Sequence, residues 1–358
     1  MIGEPRSLRR AWGLFRDPAT PEKRALLAER WAGLAPALRL PGQGLGQQAT
    51  GCGATIGIQP RCDFACTGCY LGHQANEVPA LPTAAVLRQL DELRRWLGPK
   101  SNVQITDGEV TLRPVEELLA ILRYARSIGV IPMMMTHGDA FRRRPGLLER
   151  LMTDGGLTEV SIHVDITQRG RDGYQAPRSE LELMPLREEF AALIREARRR
   201  TGRPLRAAMT VTVTQESLPQ ISGVVRWQVR NRDAFSLANF QPLAQVGRTR
   251  RNQRGVTATD LWREVSHGTE EFGLPLDDTG PTHFGHTECT RFVPLVALQR
   301  GEEEPRLFRA IRNEPEDVAV MREFFAQGLG GVAFRDDGPL EKTARFLGML
   351  RTAPGWML

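Results

Sequence analysis

The chain has 358 residues, 41% of them hydrophobic, enough for one large domain with appendages or for two domains. Its net charge of +6 comes from 48 Lys and Arg against 42 Asp and Glu, and aromatics are only 6%. A balance this mild, with no aromatic residues interleaved among the basic clusters, argues against nucleic acid as the partner. No run approaches the roughly 20 apolar residues of a membrane span, and Glu4, Arg6, Arg9 and Arg10 precede no apolar signal segment, so a cytoplasmic protein is expected.

Residues 1–50 read as a helical extension. Thr20-Pro21-Glu22 is a helix start: a cap, a proline at the first helical position and an acid near the positive end of the dipole. Leu27, Ala28, Trp31 and Leu34 then recur at helical spacing, which predicts a face docked on the core. The polar Pro41-Gly42-Gln43-Gly44 stretch predicts a linker.

From Ala54 onward, short apolar runs alternate with helical patterns. Strands are predicted at Ala54–Ile58, Val103–Thr106, Val130–Met135, Glu159–Val164, Arg206–Val213 and Phe235–Phe240. Between them, helices are predicted at Thr83–Leu97, Pro114–Ser127, Gly146–Thr153, Leu186–Arg200 and Leu218–Val229. The fold class is therefore α/β, a parallel sheet of about six βα units, fewer than the eight of a complete barrel. After Gly247 the alternation stops. A basic loop, Arg248 to Arg254, leads to a capped helix over Thr257–Phe272 and a Pro/Gly-rich stretch to Pro294. Helices at Glu316–Gln327 and Pro339–Arg351 follow. The expected division is an extension (1–50), a core (51–247) and an α-rich cap (248–358).

The stretch Cys62-Asp-Phe-Ala-Cys66-Thr-Gly-Cys69 follows the first predicted strand, where βα sheets place their chemistry. Three thiols in one short loop cannot pair among themselves, and convergent thiolates are a metal or cluster site. Two occupants fit this composition. A structural zinc would take His73 as fourth ligand, in CxxxCxxCxxxH. A cubane cluster on three cysteines would leave one iron open to another ligand.

The CxxxCxxC spacing resembles that of the radical S-adenosylmethionine (SAM) superfamily. The resemblance implies a partial (β/α)6 barrel, a [4Fe–4S] cluster on Cys62, Cys66 and Cys69, and SAM chelating the open iron. It further implies an electron from a ferredoxin or flavodoxin that splits SAM, and a 5′-deoxyadenosyl radical that takes hydrogen from an unactivated C–H bond. Five cysteines, three of them in this motif, fit the reducing compartment such a cluster needs.

The other predicted strand ends carry polar groups that the resemblance assigns to SAM. Thr106-Asp107-Gly108-Glu109 stands where the family has Gly-Gly-Glu, which receives the methionine amino group. Gly108 and Glu109 carry over, while Asp107 replaces the first glycine. The plain alternative is a turn with a helix-start acid. Thr136-His137-Gly138 is similar to the family's Thr-Asn-Gly turn. Ser161-Ile-His163-Val-Asp165 is similar to the pattern near the SAM ribose, although a histidine among apolar neighbours also suits a barrel interior. Thr210, Thr212 and Thr214 alternate on the fifth strand, with Thr212 taken as cofactor-facing. Gly68 stands where the family places an aromatic residue beside adenine, and Tyr70 is expected to supply that packing.

Asn239-Phe240-Gln241-Pro242, with Val246-Gly247-Arg248 and Thr257-Ala-Thr259-Asp260, resembles a segment of the tetraether-lipid-synthase-like branch, and Gln241 joins the cofactor-binding candidates. The chain lacks that branch's many auxiliary-cluster cysteines. In His283-Phe-Gly-His286-Thr-Glu-Cys289, the cysteine is a catalytic candidate facing the cavity, a ligand of a second metal with the two histidines, or a small buried residue. Cys52 sits in a Gly-Cys-Gly linker. The expected substrate is a small-molecule or lipid-like compound, with an anionic head group matched to the Arg248–Arg254 loop. The alternatives are a peptide- or RNA-modifying member of the superfamily, and a non-catalytic Fe–S or zinc scaffold for an anionic partner.

Overall fold

The computed structural model describes residues 21–40, 42–44, 46, 54–97, 101–249, 255–276, 285–286 and 290–319. Helix α1 (Pro21–Gly33) opens them. The face predicted to dock is only half-buried at Leu27, Trp31 and Leu34, and Ala28 is exposed. The extension is tied down instead by Gln43. Its side-chain amide donates to the Gly285 and Leu38 carbonyls and accepts from the Gly285 amide.

Strands and helices then alternate: β1 (Ala54–Gln59), α2 (Thr83–Leu97), β2 (Asn102–Asp107), α3 (Val115–Ser127) and β3 (Ile131–Thr136). Next come α4 (Asp139–Arg143), α5 (Leu147–Thr153), β4 (Glu159–His163), α6 (Met184–Thr201), β5 (Arg206–Val213), α7 (Ile221–Arg230) and β6 (Phe235–Pro242). The six strands are parallel and stand in sequence order, with β1 and β6 as the edges. This is the predicted six-unit α/β architecture. The short α4 escaped prediction because five residues carry too little periodicity to register.

Each strand alternates between two faces, and the two faces differ in chemistry. Ile56, Ile58, Val103, Ile105, Val160, Ile162, Ala207, Met209, Val211 and Val213 join the hydrophobic core under the helices, with Val86, Leu90, Leu118, Leu122, Phe190 and Ile194. The opposite parity faces the barrel interior and is mixed: Thr55, Gln104, Ser161, His163, Thr210 and Thr212 are polar, while Met133 and Met135, in register with Gln104 and Ser161, and Ala208 are apolar. Hydrogen bonds there join Thr55 to Gln104 (3.2 Å), Ser161 to Thr210 (2.9 Å) and His163 to Thr212 (3.1 Å). A parallel sheet packed between two apolar layers would read as continuous apolar runs, so the polar side chains on this face set it apart from the core-facing one.

Beyond the barrel, α8 (Ala258–Glu270) is capped by Thr257, whose hydroxyl accepts from the Asp260 amide. An antiparallel pair, β7 (Leu295–Leu298) and β8 (Arg306–Arg309), follows. The sequence reading expects only helices in this region. The four-residue strands are too short for their period to show. Pro339–Arg351, most of Glu316–Gln327, and Arg250, Arg251 and Arg254 lie outside the described residues. Among the described residues no helix is long and apolar enough to cross a membrane.

Candidate active site

The cysteine loop leaves β1 and is held from several sides by backbone. Ala65 and Thr67 donate to the Arg169 and Thr167 carbonyls of the loop after β4, at 3.0 and 2.9 Å. The Arg248 amide, after β6, donates to the Cys69 carbonyl at 2.8 Å, and its guanidinium reaches the Gly72 carbonyl. Gly247 allows this approach, since a Cβ there would lie 2.2 Å from the Tyr70 carbonyl oxygen. On the β2 side Gly108 does the same, because a Cβ there would meet the Pro60 and Arg61 carbonyls at 2.3 Å. Both glycines belong to stretches singled out in the sequence, and both act by backbone proximity.

Cys62, Cys66 and Cys69 are unpaired and half-buried. Burial pushes the Cys62 and Cys66 thiols up to about 12. They would therefore stay protonated at neutral pH unless a metal compensated the thiolate charge. Around a mononuclear zinc the ligand sulfurs would stand under about 4 Å apart, at the vertices of a 2.3 Å tetrahedron. Among the described residues, the one trio of ligand atoms mutually within 4.8 Å is Cys62, Asp63 and His137. The three cysteines do not form such a trio, and His73 is exposed. Three thiols on one loop, with burial disfavouring their free thiolates, are a donor set that fits an iron–sulfur cluster.

Glu109 is fully buried, and both its oxygens are taken by protein groups. Oε1 accepts from the Thr111 amide (3.0 Å), the Thr111 hydroxyl (2.6 Å) and the Thr136 hydroxyl (2.7 Å). Oε2 accepts from the His137 amide at 2.9 Å. His137 Nδ1 accepts from the Asp139 amide, which leaves the proton on Nε2. That nitrogen lies 2.8 Å from Asp63 Oδ1 and 3.2 Å from Glu109 Oε2. The ring stacks on Phe64 at 3.7 Å between centroids, and the buried Arg171 guanidinium covers Phe64. Asp63 also pairs with Arg143 at 2.9 Å, and the His137 hydrogen bond, with Arg143, holds its carboxyl well below the usual range.

A parallel construction stands at the ends of β4 and β5. The buried Asp165 accepts at Oδ1 from the Thr167 amide (2.7 Å) and hydroxyl (2.6 Å), and at Oδ2 from the Thr212 amide (2.8 Å). His163 Nε2 lies 2.5 Å from Oδ2. Burial raises the Asp165 carboxyl, but the His163 charge and these hydrogen bonds outweigh it and bring the group to about 2. The loop that follows is fixed by a fully buried ion pair, Arg187 with Glu180, which also ties down the Val164 carbonyl and the Ile166 amide.

Of the sequence candidates, Gly108, Glu109 and His137 gather on one side of the cysteine loop, and His163, Asp165 and Thr212 gather on another. Gln241 is exposed and in register with Thr212. Tyr70 is exposed, and its hydroxyl donates to the Asp107 carbonyl at 3.0 Å. Cys289 and His283 lie outside the described residues. His286 is exposed. The sequence reading missed Asp63, Phe64, Thr111, Thr167, Arg143 and Arg171. One signal was available: Glu109-Val-Thr111 and Asp165-Ile-Thr167 repeat the same acid-x-threonine step after a strand.

A family profile described as the radical SAM superfamily matches residues 56–219, from β1 to the start of α7, so this part of the chain is a radical SAM domain. That family uses a [4Fe–4S] cluster and SAM. No curated protein matches the chain. Solved structures similar to it include Streptococcus suis SuiB bound to precursor peptide SuiA, at 17% identity, with 63% of this chain and 46% of that one covered (TM-score 0.45). Native anSMEcpe with bound AdoMet and Cp18Cys peptide is another, at 11% identity over 62% and 59% of the two chains (TM-score 0.45). The chain thus spans about half to three-fifths of the length of these proteins.

Proposed function

We propose, from the radical SAM domain at residues 56–219, that this chain is a radical SAM enzyme whose cluster is held by Cys62, Cys66 and Cys69. The observation that supports it most is the fit of the loop. Three half-buried thiols share one loop at the C-terminal edge of a parallel sheet, where such sheets place their chemistry. Cys62, Cys66 and Cys69 would hold the cluster, which when bound would supply the electron for reductive cleavage of SAM. A ferredoxin or flavodoxin is the proposed electron source.

The protein's own part is positioning and the exclusion of water. Glu109 acts through His137, Thr136 and Thr111 to fix the β2 and β3 ends. His163 and Asp165 form a half-open pair toward the interior, suited to hydroxyl groups such as those of a ribose. Thr212 and Gln241 extend that polar surface. Cys289 remains the proposed hydrogen-donating thiol.

For the substrate, the interior face carries both polar groups and the apolar Met133, Met135 and Ala208, which accords with a small-molecule or lipid-like compound. The finer resemblance to the tetraether-lipid-synthase-like branch rests on Asn239–Pro242 and Val246–Arg248, beyond the end of the matched profile, and none of the comparisons supports it. The peptide-modifying alternative stays open: the partners of SuiB and anSMEcpe in their structures are peptides.

The test is reductive SAM cleavage. Anaerobically reconstituted protein with dithionite should form 5′-deoxyadenosine, and the Cys62→Ala/Cys66→Ala/Cys69→Ala variant should not. A folded, iron-loaded wild type that leaves SAM intact would refute the proposal.

A further inference from the structure

The turn after β2 and helix α4 after β3 enclose a cleft of about 470 Å³ whose walls carry three arginines, Arg113, Arg143 and Arg144, and no acid. Val115 and Ala140 line it too, and both pack with the hydrophobic core. The cleft therefore opens on the helix side of the sheet and not into the barrel interior. Short contacts join it to the cysteine loop. Arg143 pairs at 2.9 Å with Asp63, the residue after Cys62. Arg113 donates to the Ile58 carbonyl near the end of β1 at 2.7 Å. The Glu109 amide, just before the turn that forms one wall, donates to the Arg61 carbonyl at 2.8 Å. The cleft thus lies against the outer side of the loop that carries the thiols.

The arginines differ in the charge they leave over. Arg113 is buried, and its terminal nitrogens are engaged with Ile58, Leu81, Thr83 and Glu117. Arg143 is offset by Asp63. Arg144 is exposed, and among the described residues its guanidinium meets only the neutral Thr111 carbonyl, at 2.9 Å. Arg61, next to Cys62, is exposed as well and has no acidic partner among the described residues. Leu112, on the same wall, is 42% exposed. A small anion entering the cleft would find most guanidinium donors already taken. A protein surface would instead meet an excess of positive field around an apolar anchor, which is the make-up of an interface. A partner that must reach the cluster while SAM and substrate occupy the interior has to come from outside the barrel, and this cleft is on that side.

We propose that this cleft docks the acidic face of a one-electron carrier protein of the ferredoxin or flavodoxin class, with Arg144 and Arg61 as steering charges and Leu112 as the apolar contact. The inference rests on the radical SAM reading above and deepens it by naming the surface for the electron donor. In the step itself one electron passes from the reduced carrier to the oxidised cluster, the carrier is oxidised by one electron, and no bond forms or breaks. Two consequences follow from the chemistry of the surface. Reduction by the carrier protein depends on salt and on the charge at position 144, and reduction by a small uncharged donor depends on neither.

The experiment follows reduction of the reconstituted cluster by anaerobic stopped flow. The donors, each in excess, are reduced ferredoxin, reduced flavodoxin and photoreduced deazariboflavin, the last a small uncharged reductant. Arg144→Gln removes the charge and keeps a donor for the Thr111 carbonyl, whereas Arg144→Glu reverses the charge. Both should load as much iron as wild type. At low salt, reduction by the carrier proteins should slow about threefold in Arg144→Gln and at least about tenfold in Arg144→Glu, and the deazariboflavin rate should stay within about twofold. Salt at about 0.5 M should slow the wild type with the carrier proteins and remove most of the difference. Carrier-protein rates within about twofold of wild type in both variants would overturn the proposal. Equal slowing with deazariboflavin would overturn it too, as Arg144 would then only hold the fold. So would a wild type that deazariboflavin reduces and neither carrier protein does. Slowing by inorganic phosphate beyond that by chloride at equal ionic strength would identify a small-anion site instead and overturn it as well. A wild type that loads no cluster would refute the radical SAM reading itself.

Discussion

The ends of β2 and β3 and the ends of β4 and β5 are built alike and finished differently. In each pair a buried acid closes the first strand, accepts twice from a threonine two residues on, and accepts the backbone amide after or within the next strand. In each a histidine ring reaches the same acid. At β2 and β3 that ring, His137, is 5% exposed, stacked on Phe64 and spent on holding the cysteine loop. At β4 and β5 the ring, His163, is 36% exposed and faces the interior. One construction thus yields a clamp and a half-open contact point, and the difference lies in whether the cysteine loop lies over the histidine.

The largest effect that can break this comparison is on the clamp. Glu109→Ala leaves buried donors of Thr111, Thr136 and His137 without an acceptor. It should destabilise the protein by about 3–5 kcal/mol in chemical denaturation and release iron from the loaded protein. A loss under about 1 kcal/mol would show that Glu109 does not hold these elements. His137→Gln should follow at about 2 kcal/mol, because the stack on Phe64 is lost while one polar group can still reach Asp63. Its loaded cluster should be stripped faster by a chelator.

At β4 and β5 the acid is legible in the pH dependence. The Asp165 carboxyl lies at about 2 when folded, below its ordinary value of 3.8. A depressed carboxylate contributes stability above the unfolded pKa and loses it as pH falls through the folded one. Asp165 should therefore contribute about 2 kcal/mol at pH 6 that disappears between pH 4 and 2 on this scale. Asp165→Asn should be less stable at pH 6 and show a shallower acid limb; an unchanged limb would assign the effect to other groups. The smallest stability effect belongs to His163→Gln, less than about 1 kcal/mol for a half-exposed ring. If His163 contacts SAM as proposed, affinity falls far more than stability does.

Much of this was legible in the chain. Thr83–Leu97 and Arg206–Val213 were predicted residue for residue, since an amphipathic period and a β-branched run leave little ambiguity. The cysteine spacing and Gly108-Glu109 located the rim. What could not be read was the state of each side chain there. Glu109 and Asp107 stand two residues apart in the same turn, yet one is saturated and the other unpartnered. That difference is decided by Thr136, His137 and Gly57, on other strands. Phe64 and Arg171 were missed for the same reason, as a cation over a ring that stacks on an imidazole is a contact among three separate segments. The β7–β8 pair lacked a period long enough to register.

The central claim, that Cys62, Cys66 and Cys69 hold a cluster open to SAM, is tested most directly by metal and sulfide analysis of anaerobically reconstituted protein together with the electron paramagnetic resonance of its reduced form. The account predicts about four irons and four sulfides per chain, lost in the triple cysteine variant, and a signal that changes when SAM is added. One tightly held zinc without sulfide, or a cluster signal indifferent to saturating SAM, would contradict it.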